Sequence, residues 1–387
     1  MEGMMKQAWL VAPGGPWEIR EVPIPKPGPG QMLVKIHAGS ICKQTDSNTV
    51  RALHPPHDHQ CWGQLPHHLR MWDGREDPLK DVYPKKYLQY DKEPYPSRMG
   101  HEMAGEVVEV VPIHNTGEDI YGNNENNLYA DPNIFKVGDR VTGSPIFGGF
   151  AEYVVVDYDA AHKIPDGVTY EQATLAEPVA CVSPHVLSTV QFRDIVVVLG
   201  VGALGFASMC MAKAMGASKV VVVDKEQNKL DFALAHGADI GVNASKVENV
   251  ADAIWEATDG LGADSILEVT GEPEAIQLIP YIGKMCARVA CIGACCVPVL
   301  FDWSYFHFRA MSLNKFQVGG WFGSHGPALT ANCHKGFELA LDLIQNDIVP
   351  MGEFIDERYV LNLENLEKAF DYAMNDNTKR KMMFIFE

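Results

Sequence analysis

The chain has 387 residues, of which 47% are apolar and 21% charged; this is the composition of an ordinary globular protein long enough for two domains, and it excludes a disordered chain. With 50 acidic against 32 basic residues the formal net charge is −18, which repels phosphate backbones and anionic lipid and so argues against a nucleic-acid or membrane partner. No run of about 18 apolar residues occurs, and the opening Met1-Glu2-Gly3-Met4-Met5-Lys6 has no signal-peptide core, so a cytoplasmic enzyme is expected. The nine cysteines, at 42, 61, 181, 210, 286, 291, 295, 296 and 333, are odd in number and show no disulfide spacing. They read as reduced thiols.

In chain order, residues 7–40 read as strands separated by turns, with Pro23-Ile24-Pro25-Lys26-Pro27-Gly28-Pro29-Gly30 as a turn-rich loop. From about Ser47 to Met99 the periodicity dissolves. It resumes as a strand at 103–111, lapses again over about 112–134, and returns at Val137-Gly138-Asp139-Arg140-Val141 and 151–156. This is the pattern of a β-rich domain with two insertions. After about residue 168 strands and helices alternate. Ile195–Leu199 is a continuous β-branched and Leu run, as in a strand buried on both faces. A helix follows from Ala203 to about Met215, then a strand at 219–223, a helix at 226–236, and strands at 239–243, 264–269 and 287–293. This order predicts a doubly wound parallel sheet. The tail reads as helix 335–346, strand 357–360, helix 363–374 and strand 381–386.

Gly200-Val201-Gly202-Ala203-Leu204-Gly205 stands between a predicted strand and a predicted helix, the context that gives a GxGxxG run its meaning. The first glycine permits the tight turn and the second lets a pyrophosphate approach the backbone. The third lets helix and sheet pack closely, and the helix N-terminus offers free N–H groups to the anion. Asp224 closes the next strand about 20 residues on. A carboxylate there accepts from ribose hydroxyls and repels a 2′-phosphate, so NAD is expected over NADP, a preference that Lys225 weakens slightly.

Three further pieces precede that run: Cys42, Gly100-His101-Glu102 and Glu177-Pro178. Each alone has a commonplace reading as a buried thiol, a hydrogen-bonded histidine or a helix-start carboxylate. Together, with Val137-Gly138-Asp139-Arg140-Val141 and the glycine run in the same order, they resemble the zinc-dependent medium-chain dehydrogenase/reductase family, in its alcohol and polyol dehydrogenase branch similar to sorbitol dehydrogenase. The resemblance covers nearly the whole chain. It implies a GroES-like catalytic domain at 1–167 with insertions at about 47–99 and 112–134, a Rossmann NAD-binding domain at 168–322, and a segment 323–387 returning to the catalytic domain.

It also implies one catalytic zinc held by Cys42, His101, Glu102 and Glu177, in part through water, a mixed donor set that suits this metal. The catalytic residues it implies are Cys42, Thr45, His101 and Glu102. On the cofactor side it implies Gly200, Val201, Gly202, Ala203, Leu204, Gly205, Asp224, Lys229, Thr270, Ile292 and Gly293, with the Val318-Gly319-Gly320 run near the nicotinamide. The activity implied is reversible oxidation of a secondary alcohol or polyol by NAD, in a homodimer or homotetramer.

Two departures from the family pattern stand out. Cys42-Lys43-Gln44-Thr45-Asp46 is one residue longer than the usual run from the cysteine to the aspartate, so either Thr45 or Gln44 faces the substrate, with Asp46 orienting the ring of His101. No cysteine occurs between Cys61 and Cys181, which removes the four-cysteine lobe and predicts no structural zinc. The first insertion carries His54, His57, His59, His67 and His68 with several aromatics. It reads as a substrate lid, a subunit contact or a second metal site. Two rival functions remain open on the same fold: a metal-free enone or quinone reductase, and a catalytically silent NAD-binding protein.

Overall fold

The computed structural model describes residues 2–12, 14–43, 46, 97–112, 134–144, 148–295, 299–313 and 330–386. Gln44, Thr45, Val318-Gly319-Gly320, the histidines of the first insertion and nearly all of the second lie outside the described residues. The chain divides into two compact units. The first runs to Glu177, with part of a later helix up to Leu341 and the residues from Ile355 onward; the second comprises Pro178 onward and Asp342–Phe354.

The first unit opens with β1 (Met4–Leu10), β2 (Trp17–Pro23) and β3 (Gln31–Ser40), followed by β4 (Ser97–Arg98), β5 (Glu102–Val111), β6 (Arg140–Gly143), β7 (Tyr153–Asp157) and β8 (Ala161–Lys163). β1 pairs with β2 and β4, all antiparallel. β3 pairs antiparallel with both β5 and β7. Two helices follow, α1 (Tyr170–Thr174) and α2 (Ala176–Thr189). The division falls inside α2, later than the expected boundary at 167/168. The reason is visible in α1, whose Ala173 carbonyl accepts from Thr142 Oγ1 of β6 at 2.7 Å, tying the helix to the β-rich unit.

The second unit holds β9 (Ile195–Leu199), α3 (Ala203–Ala214), β10 (Lys219–Asp224), α4 (Gln227–Ala235), β11 (Ile240–Asn243), α5 (Val250–Ala257), β12 (Ala263–Glu268), α6 (Pro273–Ile282), β13 (Gly283–Cys291), α7 (Trp303–Phe308) and β14 (Ser312–Leu313). The strands form one parallel sheet in the order β11-β10-β9-β12-β13-β14, the order of a dinucleotide-binding doubly wound fold. Every residue of β9 is buried, which is what its unbroken apolar run requires of a central strand. β13 starts earlier than the expected 287. Cys286 has φ +60° and the ladder slips between Ala263 and Ser265, so the apolar period is broken over the strand's first residues.

α8 (Thr330–Gln345), β15 (Ile355–Val360), α9 (Leu363–Asn375) and β16 (Lys381–Ile385) complete the chain. β16 pairs parallel with β15 and antiparallel with β3, which gives the first unit a sheet in the order β15-β16-β3-β5-β6-β8. α9 buries Leu366, Ala369, Phe370 and Ala373, an i, i+3, i+4, i+7 stripe. Phe370 lies 4.4 Å from Trp17 and 6.1 Å from Phe150, ring to ring, and Phe150 lies 5.1 Å from Phe384. The return is interrupted at Asp342–Phe354, which belongs to the second unit because Phe354 stacks 5.1 Å from Phe206. Among the described residues no helix is long and apolar enough to cross a membrane.

Candidate functional site

The first cluster is built by strand pairing. β3 and β5 run antiparallel with Ser40 opposite Glu102, so Cys42, just past the end of β3, meets His101, just before the start of β5. Residues far apart in sequence thus converge at one corner. Gly100 makes that corner possible. Its φ is +88°, and a Cβ there would lie 2.7 Å from the Phe150 ring and 2.8 Å from the Phe150 nitrogen. Phe150 is fully buried in the core, so the hydrophobic packing of the first unit reaches directly to the site.

The ligand atoms of Cys42, His101 and Glu102 all lie within 4.8 Å of one another, a spacing that fits a metal ion. Glu177, in the first turn of α2, is buried but is not one of these three; its charge is felt at Lys381. Asp46 accepts from the Cys42 backbone N–H through Oδ2 at 2.9 Å, and its Oδ1 lies 3.3 Å from His101 Nδ1. Asp46 N in turn donates to the Cys42 carbonyl at 3.0 Å. Asp46 is thereby held against Cys42 with its carboxylate at the His101 ring. With Nδ1 facing Asp46, Nε2 is the nitrogen that would take a metal.

Burial alone would lower the pKa of His101. The charge and hydrogen bond of Asp46, with Cys42 beside them, outweigh it and hold the pKa well above the usual histidine range. A cysteine sulfur, an imidazole and a carboxylate form the mixed donor set suited to zinc.

Lys381, the first residue of β16, was not anticipated. Its Nζ lies 2.6 Å from Glu102 Oε2, with both side chains almost wholly buried. Ser40 Oγ donates to the same oxygen. Burial would lower the pKa of Lys381, but Glu102, then Cys42 and Glu177, outweigh it and leave it raised. The only sequence signal was position: Lys381 opens the closing strand, and nothing in that strand's pattern pairs it with Glu102.

The second cluster lies at the C-terminal ends of the parallel strands of the second unit. Gly200 has φ +98°, and a Cβ there would sit 2.5 Å from Thr270 Cγ2; at Gly205 a Cβ would come within 1.9 Å of the Gly200 carbonyl oxygen. Gly202, the N-cap of α3, is different, since a Cβ there would meet no atom of the described residues within 4 Å. Packing among the described residues therefore explains the first and third glycines but not the second, which sits at a helix N-terminus, a position suited to an anion.

Asp224 accepts from Val201 N at 2.7 Å through Oδ2 and from Glu226 N at 2.9 Å through Oδ1. Its carboxylate is thereby fixed beside the glycine run. Ala203 and Leu204 open α3, and Lys229 is buried in α4. Thr270 and Gly271 follow β12, and Ile292 and Gly293 follow β13, its neighbour in the sheet.

The chain matches two family models, the alcohol dehydrogenase GroES-like domain over residues 77–166 and zinc-binding dehydrogenase over residues 203–334. It is 31% identical over 290 residues to L-threonine 3-dehydrogenase of Pyrococcus furiosus, covering 71% of this chain and 72% of that one. Its fold is similar to that of 2R,3R-butanediol dehydrogenase from Bacillus subtilis, with a TM-score of 0.70, 23% identity and coverage of 99% and 100%. It is also similar to a zinc-binding dehydrogenase from Sinorhizobium meliloti 1021 bound to NADP, with a TM-score of 0.72, 22% identity and coverage of 99% and 100%.

Proposed function

Because the chain belongs to the zinc-dependent medium-chain dehydrogenase/reductase family, we propose that it catalyses the reversible, NAD-linked oxidation of a secondary alcohol or polyol to the ketone by hydride transfer. The observation that carries this reading is the convergence of Cys42, His101 and Glu102 within 4.8 Å, in a chain that also has a complete dinucleotide fingerprint. The converged donor set speaks against a metal-free reductase, which needs no such cluster.

In this proposal Cys42, His101, Glu102 and Glu177 hold one catalytic zinc, in part through water. When bound, zinc supplies a Lewis acid that lowers the pKa of an alcohol hydroxyl beside it. Asp46 keeps the His101 ring turned so that Nε2 is the donor. Lys381 and Ser40 hold Oε2 of Glu102 and so limit how far that carboxylate can swing. Thr45, next to Asp46 in sequence, takes the hydroxyl proton outward. Gly202 and the first turn of α3 receive the pyrophosphate, and Asp224 receives the adenosine ribose.

The relatives named L-threonine 3-dehydrogenase make L-threonine, itself a secondary alcohol, the first substrate to try, with 2,3-butanediol and sugar alcohols beside it. NADH formation at 340 nm with any of these supports the reading. No turnover across the panel with zinc-loaded protein contradicts it. Among the described residues no cysteine is in a disulfide, which suits a reducing, cytoplasmic setting. The exposed Trp303 and Phe308 of α7 and the exposed Leu300 support a homodimer or homotetramer, since apolar surface of this kind is commonly covered.

The preference for NAD is tested at Asp224. In the parent its carboxylate opposes a 2′-phosphate, and a like-charge juxtaposition of that kind costs several kcal/mol. Asp224→Ser is expected to raise the ratio of kcat/KM for NADP to that for NAD by about 100-fold. An unchanged ratio would show that Asp224 does not read the ribose.

A further inference from the structure

Glu268 closes β12 with a side chain that is fully buried, an unusual place for a carboxylate. Its Oε1 gathers three donors: Thr270 N at 2.7 Å, Gly271 N at 3.0 Å and the Thr270 hydroxyl. Its main-chain carbonyl accepts from Ile292 N at 2.7 Å and Gly293 N at 3.1 Å. Its Oε2 is buried and makes no hydrogen bond among the described residues. Burial pushes the carboxyl pKa up, against the pull of the Thr270 and Gly271 hydrogen bonds.

One residue thus grips two turns, one through its side chain and one through its backbone. The two turns are also in close contact with each other, since a Cβ on Gly293 would come within 2.1 Å of Gly271 N. The first turn continues to the glycine corner, where Thr270 Cγ2 fills the place a Gly200 side chain would take. A fold needing only to end a strand would do so without a buried carboxylate. The convergence of three donors on one oxygen is instead what a rim held to one conformation requires.

We infer that Glu268 is a positioning residue of the dinucleotide rim, locking the 270–271 turn against the 292–293 turn and the Gly200 corner so that their backbones meet the cofactor in a fixed arrangement. The inference rests on the reading that the second unit binds a nicotinamide dinucleotide, and parent binding of NADH or NADPH tests that reading alone. Absence of both overturns it.

Given parent binding, the test is the NADH dissociation constant, read by fluorescence titration of the full chain, with thermal unfolding alongside. Glu268→Gln keeps the reach of the side chain and loses its charge, whereas Glu268→Asp keeps the charge and loses the reach. Positioning by reach predicts that Asp weakens NADH binding about tenfold while Gln stays within about threefold of the parent. A purely structural role would lower the melting temperature and leave the dissociation constant of the folded protein unchanged. Asp binding within about twofold of the parent, or Gln as weak as Asp, overturns the inference. If Glu268→Asp does not fold, Thr270→Val removes one donor to the same oxygen and is expected to weaken binding about threefold. Unchanged binding there overturns the inference equally.

Discussion

Lys381→Met is expected to destabilise the folded chain by about 3–5 kcal/mol, the usual cost of leaving a buried charge without its partner. The charge left behind is Glu102, which is 1% exposed and 2.6 Å from the lysine. Among the described residues, the bond from Ser40 to the same oxygen remains. Adding Glu102→Gln to Lys381→Met is expected to recover most of the loss, because removing both members of a buried pair costs far less than removing one. Denaturant unfolding of the parent, both single variants and the double variant, with and without chelator, gives the coupling directly. If the double variant is as unstable as the sum of the single variants, the two side chains do not act as a pair.

Cys42→Ala is expected to lower kcat/KM by about 1,000-fold or more. Loss of a Lewis acid removes several kcal/mol of charge stabilisation, and each 1.36 kcal/mol is about tenfold in rate. The substitution removes one of the three converged donors and leaves the backbone N–H of residue 42 free to keep its bond to Asp46. The fold and NADH binding should therefore survive. Parent-like turnover in Cys42→Ala would remove the cysteine from the chemistry. Joint loss of turnover and NADH binding would point instead to unfolding.

Much of the second unit was legible because its signals are local. Gly200 to Gly205 are consecutive, Asp224 ends the very next strand, and the fully apolar β9 announces burial on both faces. The candidate metal cluster is less local. Cys42 and His101 meet only because β3 and β5 pair with Ser40 opposite Glu102, and no periodicity in the sequence reports that register. They were found through resemblance to a family, and the structure then supplied the physical reason for their meeting.

Lys381 and Glu268 lay beyond reach for a different reason. A lysine at the head of a strand and a glutamate at the end of one are ordinary surface residues until the tertiary fold buries them. Lys381 is carried to Glu102 by the pairing of β16 with β3. Glu268 is buried, with its side chain bonded to the turn after β12 and its carbonyl to the turn after β13. The grouping of 342–354 with the second unit is equally hard to read, since the packing of Phe354 against Phe206 leaves no mark in the sequence around it.

The central claim, that Cys42, His101, Glu102 and Glu177 hold a catalytic zinc, is tested most directly by metal analysis of the purified chain and its Cys42→Ala variant, prepared without chelator. The account predicts about one zinc per parent chain and close to none in the variant. A parent without zinc, or a variant that keeps its full complement, would contradict it.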